Sequence, residues 1–417
     1  MVAVRIENRA QLIFLLTAAA ELEHEILCCY LFATFTMKDS TDEGLTEAQL
    51  EAVRRWRRAI NDVAIQEMIH LATACNLLTA VGGAPQLRRP NLPTASHAYP
   101  PAFRLQLMPF GVAALDQFIQ LERPEALAAD VPGGNRAGAV PLDRLGDIFS
   151  SERNFETVGE LYRGIQDGFS YLAQKLGDEH LFVGPDEAQT AEPYFSLPGL
   201  FPVHDLASAI AAINVIVEQG EGASPDSEHS HYNRFVAIRK EYGEVLVADP
   251  AFQPARPVVS NPCTILPADR ALEAQMSRID DPFSADFCNL VDGCYELMVQ
   301  VLGRMFVHAE ESPEDLALLS DLTVGLMMDV VQPLANALTL LPAGPSHPGQ
   351  CAGPSFRLSR SASIPTHRSA AWPVFRERLG EFVAYSRFLE TGKGAPAVLA
   401  GVRGVLEGYG ARFAGSA

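Results

Sequence analysis

Cysteine pairs at metal-binding or haem-attaching spacing are missing from this sequence: none of its seven cysteines stands in a CxxC or CxxCH arrangement. Cys28 and Cys29 are adjacent, Cys75 sits in an apolar stretch, Cys288 and Cys294 are six apart, and Cys263 and Cys351 are isolated. That pattern fits neither a zinc site nor a disulfide framework nor covalent haem, and free thiols in a reducing cytoplasm are the expectation. Basic residues are scarce as well, with 32 Lys and Arg against 51 Asp and Glu and a formal net charge of −19. A surface of that sign repels phosphate backbones and anionic lipid, which argues against nucleic acid and membrane as partners. No apolar run reads as a membrane span. The most apolar stretch, residues 323–343, carries Asp329 and Pro333 and reads as a buried helix. Near the N-terminus, Arg5 and Arg9 precede an apolar run that mimics a secretory leader, but Glu7 interrupts the basic region and the helical pattern continues to about Met37. A helix is expected there. What is present is 417 residues, 48% apolar and 20% charged, enough for a sizeable core.

The periodicity is helical almost throughout, with long irregular connectors and no internal repeat. A first helix is expected over about 9–37 and a second from Thr46, whose Thr-x-x-Gln pattern reads as a capping box, to Gly82-Gly83. Residues 84–152 form a long excursion with one short amphipathic segment, 112–121. A third helix is expected over 155–176 and a fourth over 203–219, broken at Gly220 and Gly222 and resuming at 230–244. Helices follow at about 282–309, 312–341 and 371–389, separated by Pro-rich stretches. Short connections within two hairpins and one long crossover between them match an all-α, ferritin-like four-helix bundle. The expected division is a bundle over 1–247, carrying the insertion, and a C-terminal helical extension over 248–417.

Chemistry concentrates on these helices. Glu67 and His70 are three apart, so they share one helix face amid Val63, Ala64, Ile65, Met68, Ile69 and Leu71. Bare in an apolar core they would cost several kcal/mol, so they must pair or bind metal. In the first helix Glu21, Glu23, His24 and Glu25 cannot all face solvent. Placing Glu21, His24 and Glu25 outside points Glu23 inward, with Tyr30 two turns along on its side. Glu160 on the third helix has Val158, Leu161 and Ile165 as neighbours, and Glu218 closes the apolar run 212–217 of the fourth. Glu221 stands three beyond it, where an ExxH motif would place its histidine, and His231 can fold back from beyond the break. Carboxylates and imidazoles without thiolates suit iron or manganese, and the pattern is that of a carboxylate-bridged dimetal site.

Taken together, these motifs carry a resemblance: EHEILCCYLF from Glu23, QEMIHL from Gln66, GGAP from Gly82, VGELY from Val158, EQGEG from Glu218 and SHYNRF from Ser230. The chain resembles the ferritin-like domain of the iminophenyl-pyruvate dimer synthases, strongly over about residues 10–245 and more loosely through Ala352 to Phe356 and the helix at Ala371. Members act in violacein and rebeccamycin biosynthesis. The resemblance implies oxidative chemistry on amino-acid-derived small molecules, although the pathway synthases are much longer chains with further domains and haem.

The expected mechanism is activation of O2 by two iron ions per chain, with manganese the other metal the donors suit. Glu23, Glu67, His70, Glu160 and Glu218 are the expected ligands, completed by one or both of Glu221 and His231. Tyr30 and Tyr162 are the expected catalytic residues, passing an electron or orienting bound oxygen, with a hydrogen-bonded core role the competing account. A small-molecule substrate and O2 are the expected partners, and a homo-oligomer is compatible with the reading. The alternatives are an iron-handling protein without an organic substrate and a structural module whose ionisable groups pair with one another. The irregular stretch 342–365, flanked by His347 and His367, is placed to cover a substrate entrance.

Overall fold

The computed structural model describes residues 6–94, 104–124, 155, 157–190, 194–195, 197, 199–220, 230–307, 310–359 and 367–415. Helix α1 (Arg9–Thr36) runs unbroken from an Asn8 cap that accepts from the Gln11 N–H. Helix α2 (Glu47–Ala80) begins at the expected box, Thr46 and Gln49 capping each other's backbone. It stops at Gly82, whose φ of +80° a side chain would resist. The two helices pack along their length as an antiparallel hairpin.

The long crossover holds α3 (Val112–Leu121). Then come α4 (Val158–Leu176), capped by Thr157, and α5 (Leu206–Gly220). Helix α6 (His231–Ala248) starts at a Ser230 cap. Helix α4 packs on α1 and α5, α5 on α2, and α3 pairs with α6, which also touches α2. The bundle is therefore the four helices α1, α2, α4 and α5, with α3 and α6 laid against it as a second pair.

Beyond a connector with a two-residue parallel strand pair (Pro262–Cys263 beside Ser277–Arg278) lie the remaining helices. Helix α7 (Pro282–Phe306) has Asp281 as cap and proline at its start. Helix α8 (Pro313–Gly325) continues through a π-helical turn (Leu326–Val331) into α9 (Gln332–Leu338). By length and composition this continuous helix could cross a membrane, and half of its most apolar window is buried inside the protein. Helices α10 (Arg368–Glu390) and α11 (Val398–Gly415) form the last hairpin. Helix α11 was not expected: Gly401, Gly404, Gly408 and Gly410 lower its intrinsic propensity. Its buried Leu399, Val402, Leu406 and Phe413 hold it down on α10, where Phe413 lies 4.6 Å from the Trp372 ring.

One expectation about α1 is overturned. His24 and Glu25 do not face solvent; they are 4% and 2% exposed. The cause is tertiary, because the C-terminal half packs on the side of α1 that the bundle leaves open. There His24 Nδ1 donates to the Leu87 carbonyl at 2.8 Å, and Nε2 accepts from the Tyr295 hydroxyl at 2.5 Å. The buried Arg89 guanidinium reaches Cys28 Sγ at 3.3 Å, Tyr295 Oη at 3.2 Å and the Phe356 carbonyl at 2.7 Å. Burial, helped by the Arg89 charge, pushes His24 down to about 3, so it stays neutral. Burial also lifts Glu25 to about 8.

Tight approach of backbones fixes the turn after α4. Gly184 donates to the Ala80 carbonyl at 3.1 Å, and a Cβ there would run into the Thr79 carbonyl. Gly184→Ala is expected to cost about 1–3 kcal/mol by urea unfolding. Gly380→Ala, in mid-α10 with open space around it, is expected to stabilise by about 0.5–1 kcal/mol in the same measurement.

Candidate metal centre

Two overlapping groups of buried ligand-type side chains meet where α1, α2, the end of α3 and the start of α6 converge. The first is Glu23, Glu67 and His70; the second is Glu67, Glu122 and His231. Glu67 belongs to both. Its Oε2 lies 3.0 Å from His70 Nδ1, and its Oε1 lies 2.8 Å from His231 Nδ1. Glu23 Oε2 is 3.8 Å from His70 Nδ1, and Glu122 Oε2 is 3.5 Å from His231 Nδ1. The two imidazoles stack with centroids 5.5 Å apart.

Around Glu67 the arrangement repeats. Tyr162 on α4 donates to Glu23 Oε1 at 2.6 Å, and Tyr30 on α1 donates to Glu122 Oε1. His70 Nε2 meets Gln219 Oε1 at 2.9 Å, and His231 Nε2 meets Gln66 Oε1 at 2.8 Å. Each half thus has one outer carboxylate tied to a tyrosine and one imidazole tied to a glutamine.

His70 Nδ1 is within hydrogen-bonding distance of Glu67 Oε2 at 3.0 Å, but hydrogen bonds do not account for the whole centre. Glu67 Oε1 and His231 Nδ1 are in contact yet neither has a hydrogen-bond partner of acceptable alignment. A glutamine oxygen can only accept, so each neutral ring carries its proton on Nε2 and turns the Nδ1 lone pair toward carboxylate oxygens. Lone pairs facing lone pairs in a dry interior call for a cation between them. Three carboxylates and two imidazole Nδ1 atoms fit a hard-to-borderline metal such as iron or manganese.

Without metal, protons do that work. Burial, reinforced by the Glu67 charge, holds the Glu23 carboxyl well above the usual carboxylate range. Burial pushes Glu67 the same way, but the His70 and His231 charges outweigh it and keep Glu67 below that range. Burial depresses His231, yet Glu67 and Glu122 together lift it to about 9.

The structure brings together Glu23, Glu67, His70 and His231, with Tyr30 and Tyr162 behind the outer carboxylates. Glu160 stands elsewhere: it is half-buried in the first turn of α4, its N–H donating to the Thr157 hydroxyl at 3.1 Å. Two residues along a helix turn a side chain by about 200°, so with Tyr162 facing Glu23, Glu160 faces away. Glu218 is exposed on α5, and neither it nor Glu160 belongs to either ligand group. Its neighbour Gln219 is the residue that turns inward. Glu221 lies outside the described residues. Sequence reasoning missed Glu122, Gln66 and Gln219. Glu122 closes the apolar run 112–121, the same cue that draws attention to Glu218; the glutamines stand inside the QEMIHL and EQGEG motifs, but nothing in ligand chemistry singles out an amide there.

A small cavity opens on the cluster, walled by Ile26, Leu121, Val158, Gly159, Ile216 and Val217. Among the described residues, 342–359 take no part in that wall, and 360–366 lie outside the described residues. Instead 342–359 are pinned to the 87–91 segment through Phe356 and Leu358, the latter bonded to Asn91 at 2.8 Å and 3.0 Å.

An antiparallel helical bundle with carboxylates and imidazoles meeting at its centre defines the ferritin-like class of folds. Residues 16–240 match the family model described as ferritin-like, and the chain belongs to that family. It is 28% identical over 370 residues to the 2-imino-3-(indol-3-yl)propanoate dimerase of Chromobacterium violaceum, covering 84% of this chain and 34% of that one. It is 29% identical over 330 residues to the dichlorochromopyrrolate synthase of Lentzea aerocolonigenes, covering 74% of this chain and 30% of that one. The chain spans about a third of the length of these curated relatives. A crystal structure of a ferritin-like protein from Caulobacter vibrioides superposes with a TM-score of 0.53 at 19% identity, covering 85% of this chain and 99% of that one, a likeness of fold.

Proposed function

We propose that the chain is a metal-dependent oxidative enzyme that holds two metal ions, iron by its donor chemistry, and uses O2 to oxidise a small amino-acid-derived molecule. The observation that carries this reading is the pair of Nδ1 atoms aimed at carboxylate oxygens while both Nε2 atoms face glutamine. Glu23, Glu67 and His70 would hold one ion, and Glu67, Glu122 and His231 would hold the other. Once bound, iron would supply the one-electron steps that amino-acid side chains lack. The names of the two curated relatives support an imino acid or another aromatic amino-acid derivative as substrate.

The chain's own groups prepare the site. Tyr162 and Tyr30 each occupy one oxygen of Glu23 and Glu122 and leave the other oxygen facing the centre. The apolar wall excludes bulk water and strengthens every charge interaction within. We propose that the phenols act first as orienting donors, and that any electron they pass is secondary to that role.

The test has two stages. Protein loaded anaerobically with ferrous iron and then desalted is expected to retain two iron per chain, and metal-free protein of unchanged stability would remove the reading. Exposure of the loaded protein to O2 with candidate amino and imino acids is then expected to give substrate-dependent oxygen uptake. Uptake indifferent to every organic addition would favour iron handling, a second reading that the small cavity supports.

Proton displacement gives a further expected result. His231, lifted to about 9, holds a proton at neutral pH in the metal-free chain, and metal must expel it along with any proton that burial keeps on Glu23. Apparent affinity is therefore expected to rise with pH, about tenfold per unit for each proton released, and to fall away toward pH 5. Metal titrations at pH 6, 7 and 8 check the slope. A flat profile would mean that neither group ligates.

A further inference from the structure

Gln66 and Gln219 are amides, poor metal ligands beside so many carboxylates, yet each holds a fixed place behind an imidazole. Gln219 on α5 braces His70 on α2 at 2.9 Å, and Gln66 on α2 braces His231 on α6 at 2.8 Å. The braces cross between helices, so neither depends on the conformation of a single turn. Gln219 is how α5 reaches the cluster, since Glu218 is exposed beside it. In both halves the acceptor is neutral. An ionised carboxylate in the same position would draw the Nε2 proton toward itself, load electron density onto Nδ1 and so favour the more oxidised ion. An amide oxygen fixes the ring without that push.

We propose that Gln66 and Gln219 are a matched pair of positioning residues, which lock both imidazoles with Nδ1 toward the metals and, being neutral, keep the reduction potential higher than carboxylate partners would. The proposal rests on the metal-centre reading above and deepens it. It also accounts for two glutamines set against ionisable groups with their oxygens, rather than their amide nitrogens, turned to the rings.

The test uses the full chain. In the zinc-loaded, 15N-labelled protein a long-range 1H–15N spectrum is expected to show two histidines with protonated Nε2 and metal-shifted Nδ1. Gln219→Leu and Gln66→Leu are each expected to weaken one of two cobalt(II) ions by about 10–100-fold and to leave the other as in wild type. Gln219→Glu and Gln66→Glu are expected to keep both ions and to shift the midpoint potential of the iron-loaded protein downward, which a loss of packing alone would not do. Wild-type protein that takes up no zinc, cobalt or iron defeats the metal centre itself. Two ions bound with Nδ1 protonated, leucine variants that bind as tightly as wild type, or glutamate variants with an unchanged or raised potential overturn the lock and leave the centre standing. If the leucine variants do not fold, the wild-type spectrum and the glutamate variants decide.

Discussion

Glu67→Ala is expected to strip both metal ions from the chain, whereas Glu23→Ala and Glu122→Ala each strip one. Glu67 sends Oε2 to the His70 side and Oε1 to the His231 side, so its loss removes a ligand from each half at once. The outer carboxylates each serve one imidazole. Affinity for both ions is expected to fall by more than about 100-fold in Glu67→Ala, beyond the roughly 10–100-fold typical of a change one layer behind the ligands. Glu67→Gln, which keeps the shape and removes the charge, separates the need for an anion from the need for bulk. Ferrous loading followed by metal analysis and calorimetric titration reads the stoichiometry. Retention of one ion at wild-type affinity in Glu67→Ala would show that the carboxylate is not shared.

The second large effect lies away from the cluster, at the ion pair between the end of α7 and the residue just before the Ser312 cap of α8. Arg304 and Glu311 meet twice, at 2.5 Å and 2.7 Å, with both side chains fully buried. The Trp372 indole donates to the same carboxylate at 3.3 Å, and Arg368 stacks on that indole at 4.3 Å while pairing with Asp315. Glu311→Ala takes away the carboxylate that the buried Arg304 guanidinium meets twice, so it is expected to cost about 3–5 kcal/mol in urea unfolding. Arg387→Ala, which breaks an exposed pair with Glu407, is expected to cost less than about 1 kcal/mol. Replacing both members together, Arg304→Met with Glu311→Leu, is expected to cost less than Glu311→Ala alone, because the desolvation penalty leaves with the charges.

Local spacing makes the helices and half of the cluster legible. Glu67 and His70 share a face by arithmetic, and Glu23 stands out because four ionisable groups within five residues of an apolar helix span more than one turn's worth of directions. His231 is reachable because a break precedes it. Tyr162 rather than Glu160 faces Glu23 because it shares a face of α4 with the buried Leu161, Ile165, Phe169 and Leu172, a stripe that local spacing alone already displays. The remainder depends on tertiary facts. Glu218 and Gln219 differ by about 100° of rotation, and only the packing of α5 on α2 and α4 selects the glutamine. The burial of His24 and Glu25 is hidden because their partners, Arg89 and Tyr295, are 61 and 267 residues away from Cys28, which they also contact. Helix α11 is concealed by glycines whose cost is met by its contacts with α10.

Glu23 and His24 are consecutive, yet one serves the carboxylate cluster and the other the interface with the C-terminal half. Along the same helix Cys28 meets Tyr295, Phe32 lies against Gly353, and Phe35 stacks on Phe356. Helix α1 is thus a shared wall rather than an outer one. A fragment stopped near residue 247 would strip one side of that wall, leaving aromatic rings and a neutral imidazole wet, and would aggregate instead of yielding a free-standing iron-binding piece. For the intact chain, on the metal-centre reading proposed above, heating that loosens the C-terminal helices should release any bound metal in the same step, so that metal loss and unfolding share a single midpoint.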